Sequence, residues 1–475
     1  MAVTISQKPN EIFDQAYGPN PVTLTGIPTD PVTGLISADK YVLQIWRDGT
    51  LIADLRQTPN AQGKAIFDIQ NVLQNFVAPS KNGIEEIGFD GLNQLSNSAL
   101  ESVQYQFAVG YEVAGAVTID FDSAQLFTAF GGTKAYYEVE YSPTAYIPQQ
   151  YSVSSNCTGV LKQAQPFTDM NTYRLGSEIT DGKPLWLEDN MRVYDHYVTK
   201  DDMTTISYWN QTSSAAGGAY GAFSIGAFVF YQYNGNTLLS IDPVYNVPSG
   251  IPTDPGGGPG FGYTPTYPNK AITCGTGPKN FQDFNGASAT HYYVATAPYT
   301  GASCPSTITG LADASLHYVH RFNIITPDCN DFPEYQFSWL NSYGFRDYYS
   351  FKKRKDRSVN IARNTYLKEA ANYNGDSYNV NIYDRGTTVY SQTLEEQFTA
   401  FTDFISDADA LFLEGLFTSA DVKVRFNDAP GAEQFDWVPV ALLSTTWTEK
   451  TYRKDKLFQY DIRFKIAHNL KSQRG

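Results

Sequence analysis

From Ser102 to Val113 apolar and polar side chains alternate without a break. Val103, Tyr105, Phe107, Val109, Tyr111 and Val113 are interleaved with Ser102, Gln104, Gln106, Ala108, Gly110 and Glu112. Period two is the signature of a strand with one buried face. The same rhythm closes the chain, where Phe458, Tyr460, Ile462, Phe464 and Ile466 alternate with Gln459, Asp461, Arg463 and Lys465. Nearer the start, Tyr41–Trp46 and Thr50–Leu55 flank Asp48-Gly49, which predicts a hairpin. Gly63–Ile69 predicts a short strand. Asp68 then caps a short helix whose Ile69, Val72, Leu73 and Phe76 share a face. A further strand is expected over Lys134–Tyr141.

The middle of the chain is looser. Strands are predicted over Arg192–Val198, Thr204–Trp209, Ser224–Tyr233 and Leu316–Ile325, with Asn234-Gly235 turning into Asn236–Ile241. Pro252–Pro268 (PTDPGGGPGFGYTPTYP) cannot continue a regular element and reads as a loop or arm. Regularity returns at Tyr335–Leu340, followed by the turn Asn341–Gly344 and strands over Ser358–Tyr366 and Val380–Tyr383, with a turn at Asp384–Gly386. Ser406 is placed to cap a helix over Asp407–Phe417, with Ala408, Leu411, Phe412, Gly415 and Leu416 on its apolar face. Val422, Val424 and Phe426 mark one more alternating strand.

These elements predict a mainly β protein in three parts. The first is an immunoglobulin-like β-sandwich over 1–144, and the second a β-rich middle domain with a long Gly/Pro loop over 145–335. The third is a C-terminal α+β domain over 336–475, a sheet with one helix across it.

Composition changes the picture in one respect. Aromatic residues make up 15% of the chain and charged residues only 17%, against about 25% in an average soluble protein. Aromatic-rich, Lys- and Glu-poor surfaces are those that become interfaces. The net charge of -15 disfavours a nucleic-acid partner. Met1–Asn10 has neither the basic nor the apolar region of a signal peptide, and no stretch approaches the roughly 20 apolar residues of a membrane span. The expectation is a chain made in a cytoplasm, with no membrane partner. Cys157, Cys274, Cys304 and Cys329 lie far apart, without a C-x-x-C pair, and read as reduced thiols rather than a disulfide framework or a zinc site.

Catalytic signatures are missing from the sequence: there is no nucleophile elbow, no phosphate loop and no H-E-x-x-H. His317 and His320 sit three apart in a predicted strand, hence on opposite faces, which disfavours a shared metal. Asp120 with Asp122, and Glu138 with Glu140, are the nearest acid pairs, and a solvated strand face explains them more simply than glycoside hydrolysis. No catalytic residue, cofactor or metal is therefore assigned. Two candidate binding sets remain. The basic run Lys352, Lys353, Arg354, Lys355 and Arg357, alone of its kind in an acidic chain, could dock an acidic neighbour such as another copy of the subunit, or be a solvated hairpin. Trp186, Tyr208, Trp209 and Tyr233 could stack on a host surface glycan, or be core residues.

The last segment adds a resemblance. Tyr335–Phe351 (YQFSWLNSYGFRDYYSF), Ala408–Val424 and Glu449–Ile466 (EKTYRKDKLFQYDIRFKI) resemble three signatures of a family of tailed-phage structural proteins from phages of Bacteroidota. Val42–Phe76 is similar to that family's first domain. Tyr343-Gly344-Phe345 departs from the family's Gly-Gly, and the likeness is weak between about 145 and 315. The closing strands also resemble those of distal-tail and tail-tube proteins, at fold level only. The resemblance implies a non-enzymatic virion component, a tail or baseplate adaptor built as a homo-oligomeric ring with other virion proteins as partners. The alternative is a receptor- or carbohydrate-binding fibre or head-decoration protein.

Overall fold

A computed structural model gives the fold. It describes residues 3–9, 14–26, 39–77, 95–96, 102–121, 127–133, 192–210, 225–245, 270–281, 283–298, 318–325, 334–367, 386–426, 437–444, 459–467 and 471–474. The protein is mainly β, as its alternation predicts. The chain divides into two compact units. The first holds Met1–Thr326 and Leu340–Tyr348, and the second Pro327–Trp339 and Tyr349–Gly475. The expected boundary at 144 lies outside the described residues, as do the strand Lys134–Tyr141, the loop Pro252–Pro268 and the strand Val380–Tyr383.

The first unit opens with two sheets over one core. A three-stranded antiparallel sheet runs β1 (Thr4–Gln7), β3 (Pro21–Thr25), β6 (Ala65–Asp68). A six-stranded sheet runs β2 (Asp14–Tyr17), β10 (Phe127–Thr133), β8 (Ser102–Val113), β4 (Lys40–Arg47), β5 (Thr50–Gln57), with β9 (Ala116–Phe121) also on β8. Val22, Leu24 and Phe67 from one sheet meet Tyr41, Leu43, Tyr105 and Phe107 from the other. The β4–β5 turn is the Asp-Gly one, with both residues at positive φ, 48° and 75°. The helix expected after Asp68 is the single turn α1 (Gln70–Leu73). Its N-cap is Ile69, without a side-chain cap; one residue earlier Asp68 accepts from the Gln70 N–H, and Ile69 and Leu73 are buried. In β8 the alternation holds through Phe107, Phe107–Gly110 are all buried, and beyond them it inverts. Glu112 is buried beside Arg56 (2.9 Å) and Lys40 (3.9 Å), while Val113 is exposed. Gly110 has a reason of its own: a Cβ there would sit 2.0 Å from the Thr118 carbonyl oxygen of β9.

Two further sheets of the first unit share a second core. The five-stranded sheet runs β11 (Arg192–Val198), β17 (Tyr318–Ile324), β16 (His291–Pro298), β13 (Ile225–Asn234), β14 (Thr237–Tyr245), with β11 and β17 parallel. A three-stranded sheet runs β12 (Thr205–Asn210), β15 (Lys270–Gly275), β7 (Leu95–Ser96). Phe228, Phe230, Tyr292, Val294 and Phe322 of the first sheet pack on Ile206, Tyr208, Ile272 and Cys274 of the second. The Cys274 thiol is free and buried, and burial pushes its pKa up, as expected of an inert core thiol. The other three cysteines lie outside the described residues.

The second unit is built on an eight-stranded sheet. Its order is β19 (Arg346–Phe351), β18 (Tyr335–Leu340), β22 (Val422–Phe426), β23 (Val438–Leu442), β24 (Asp461–Ile466), β21 (Thr387–Phe401), β20 (Lys355–Leu367), with β25 (Lys471–Arg474) also on β21. Helix α2 (Asp407–Thr418) starts where predicted, with the Ser406 hydroxyl accepting from the Asp409 N–H. Its buried face is Ala410, Phe412, Leu413 and Leu416, with the Phe412 ring 5.1 Å from that of Trp339. Leu413 replaces Leu411 of the predicted face, since Leu411 is only half-buried. The predicted polar face of β22 is also corrected: Lys423 and Arg425 are buried along with Val422 and Val424, so both sides of this inner strand are covered. In the turn after β18, Gly344 takes φ +84° and the Asn341 side chain accepts from the N–H groups of Tyr343 and Phe345.

Candidate assembly surface

β20 and β21 pair antiparallel from Lys355↔Ala400 out to Leu367↔Thr387. Partners directly opposite one another share a face. At the root, Phe398 and Ala400 point into the core of the second unit, 7% and 0% exposed. Following that face outward along the register gives Val359 opposite Glu396, Ile361 opposite Leu394, and Arg363 opposite Gln392. Past a bulge at Tyr390 come Thr365 opposite Val389 and Leu367 opposite Thr387. The core face thus continues along the ribbon after the core has ended. Val359, Ile361, Val389 and Leu367 are 39%, 47%, 37% and 81% exposed. The opposite face carries Ser358, Asn360, Ala362 and Asn364 against Gln397, Glu395, Thr393 and Ser391.

The outer edge of β20 has no strand partner among the described residues. Edge strands are usually protected by lysines, prolines or inward charges. Ser358–Leu367 has one charged residue, Arg363, and no proline, and Thr387–Leu394 has no charged residue. The predicted strand Ser358–Tyr366 was thus found within a longer one. Its partner β21 escaped the sequence reading because Thr387–Phe401 mixes Thr, Gln and Glu with its apolar positions.

The basic run lies at the root of this ribbon, and its groups are engaged within the chain. Lys353 Nζ is 3.5 Å from Asp403, Arg354 Nε donates to Asp356 (3.0 Å), and Arg357 Nη2 lies 2.9 Å from Glu396. Lys355 Nζ sits 4.5 Å from the Tyr335 ring centroid, a cation–π contact. Lys352 is half-buried. The Lys353–Asp403 and Arg354–Asp356 pairs are exposed and worth about 0–1 kcal/mol each, so they can be exchanged at an interface, whereas Glu396 is buried beside Arg357.

Two of the four proposed glycan residues are buried. Tyr208 is 1% exposed, 5.6 Å from Phe228 in the second core, which corrects it from ligand contact to core residue. Tyr233 is 7% exposed and stacks on His291 (5.4 Å, 8°). Trp186 and the Trp209 side chain lie outside the described residues, as do Asp122, Glu138 and Glu140. On the same five-stranded sheet Tyr197 is 57% exposed.

Sequence reasoning missed two polar features of this sheet. Asp195 accepts from both Arg321 and Asn323 on the neighbouring strand. His196 Nε2 and His320 Nδ1 share a 2.9 Å hydrogen bond, and burial lowers the His320 pKa to about 3. No signal in one sequence points to that pair, since it needs parallel β11–β17 pairing across 124 positions. His317 and His468 lie outside the described residues, which hold no group of three or more metal-type ligands.

No family model matches the chain, and no curated protein matches it. Among solved structures, extracellular domains 3–5 of Drosophila OTK are similar at 10% identity, covering 84% of this chain and 92% of that one. The TM-score of 0.18 gives this likeness no weight for fold or function. Among the described residues no helix is long and apolar enough to cross a membrane.

Proposed function

We propose that the chain is a non-enzymatic structural component of a tailed-phage virion, a tail or baseplate adaptor that assembles with its own copies in a ring. The observation that carries this reading is the β20–β21 ribbon, whose core-type face and open edge suit a subunit completed by a neighbour. The resemblance of both chain ends to phage structural proteins and the aromatic, charge-poor composition support it. Its partners would be copies of itself and other virion proteins, with synthesis in the host cytoplasm and neither nucleic acid nor cofactor required. Mass spectrometry of purified particles tests the reading: the chain is expected at a stoichiometry set by the ring, and its absence from particles rejects it.

The alternative, a receptor- or carbohydrate-binding fibre or decoration protein, has Tyr208 and Tyr233 buried; among the described residues Tyr197, Tyr366 and Tyr390 are exposed aromatics that could serve it. A glycan array probed with the full chain separates the two.

A further inference from the structure

We infer that the face of the ribbon marked by Val359, Ile361, Leu367, Val389 and Leu394 is the self-association surface, and that its occupant is a second copy of this chain arranged head to tail. The inference deepens the virion reading and rests on it for the closed ring alone. Three observations carry it.

The first is continuity. The stripe occupies the same side of β21 as Phe398 and Ala400, which are in the core. Alternation of this kind is the pattern of a covered strand, and within the chain its outer half stays exposed. Among the described residues β25 adds a third strand at Ser391–Leu394 only; toward the tip the ribbon has two strands, which are marginal in water without a cover.

The second is charge, which selects the occupant. Lys352–Leu367 holds six basic side chains and one acidic, in a chain of net charge -15. A second copy carries net negative charge toward this basic strand and its root, where the exposed Lys353–Asp403 and Arg354–Asp356 pairs can exchange partners on docking. A two-fold contact between two ribbons would set each basic root beside the uncharged Asn364–Leu367 tip of the other and bring it no acidic surface, which favours a heterologous contact. Heterologous contacts that close make rings.

The third is area. Ten residues of strand extend about 34 Å, and two strands span roughly 10 Å. Covering that face and the β20 edge buries on the order of 1,000 Å² over both partners, the lower bound of a specific interface. Each subunit in a ring makes two such contacts, one as donor and one as acceptor of the ribbon.

The test uses the full chain and sedimentation velocity over a range of concentrations. Wild type is expected to associate reversibly beyond a dimer. I361K combined with L394K should weaken association at least 100-fold with unchanged circular dichroism. A362K, on the opposite face of the same strand, should leave association intact. A wild type that stays monomeric at about 100 μM, association unaffected by I361K/L394K, or a stop at dimer overturns the inference. Particle composition is read separately. If the chain is in particles and the double variant still associates, the surface is wrong and the virion reading stands. If the chain is absent from particles yet associates through the ribbon, the surface stands and the virion reading fails.

Discussion

The five-stranded sheet of the first unit and the ribbon of the second are written in the same period-two code, yet they end differently. In the first, Phe228, Phe230, Tyr292, Val294 and Phe322 point at a facing sheet and are at most 1% exposed. In the second, Val359, Ile361 and Leu367 keep the same alternation and stand in solvent. Alternation reports that a face is meant to be covered. It does not report whether the cover belongs to the same chain. On the proposed reading, the difference between the two regions marks the face that a second copy covers.

The largest effect that would sharpen the contrast is truncation in the covered sheet. Tyr292→Ala removes a ring stacked on Phe322 at 4.9 Å and a hydroxyl that donates to the Thr276 carbonyl. It should cost about 3–5 kcal/mol in urea unfolding. Ile361→Ala, read on dissociated protein, should cost under about 0.5 kcal/mol. Similar costs would erase the distinction.

Next comes acid. His320 is neutral in the fold because burial holds its pKa near 3, below the ordinary 6.5 of the unfolded chain. Its contribution is therefore complete above pH 6.5 and is lost as pH falls from 6.5 toward 3, on the order of a few kcal/mol. Around it stand His196, Tyr194 and Tyr208, with no carboxylate among these neighbours to offset a charge. Unfolding of the first unit followed against pH should show this slope, and His320→Gln should flatten it. Equal slopes in both proteins would contradict the assignment.

Strand crowding ranks third. Gly110→Ala forces a methyl to within 2.0 Å of the Thr118 oxygen, so β9 must move off β8. A loss of about 2–3 kcal/mol is expected by thermal unfolding, confined to the first unit. The smallest change is in the helix of the second unit: Ser406→Ala removes its cap and should cost about 1 kcal/mol.

Much of this was legible in the residues themselves. β8, β11 and β18 begin and end where their side chains say, and α2 starts at its serine, because those signals are local. The Asp48-Gly49 turn was readable for the same reason. β15, β16 and β21 were missed, since their edges are blurred by Thr, Ala and Gln and their status comes from neighbours. Tyr208 looked like a ligand platform because aromatic type does not disclose burial. The basic run lies at the root of the ribbon, and the sequence alone did not show the apolar stripe beside it. That stripe appears only when β21 is set in register with β20.

Hydrogen exchange on the full chain, at assembling and at dilute concentration, tests the central claim most directly. The account predicts that amides of Ser358–Leu367 are protected when concentrated and exchange rapidly on dilution, while those of Tyr292–Val294 stay protected throughout. Ribbon amides that exchange at one rate at every concentration would contradict it.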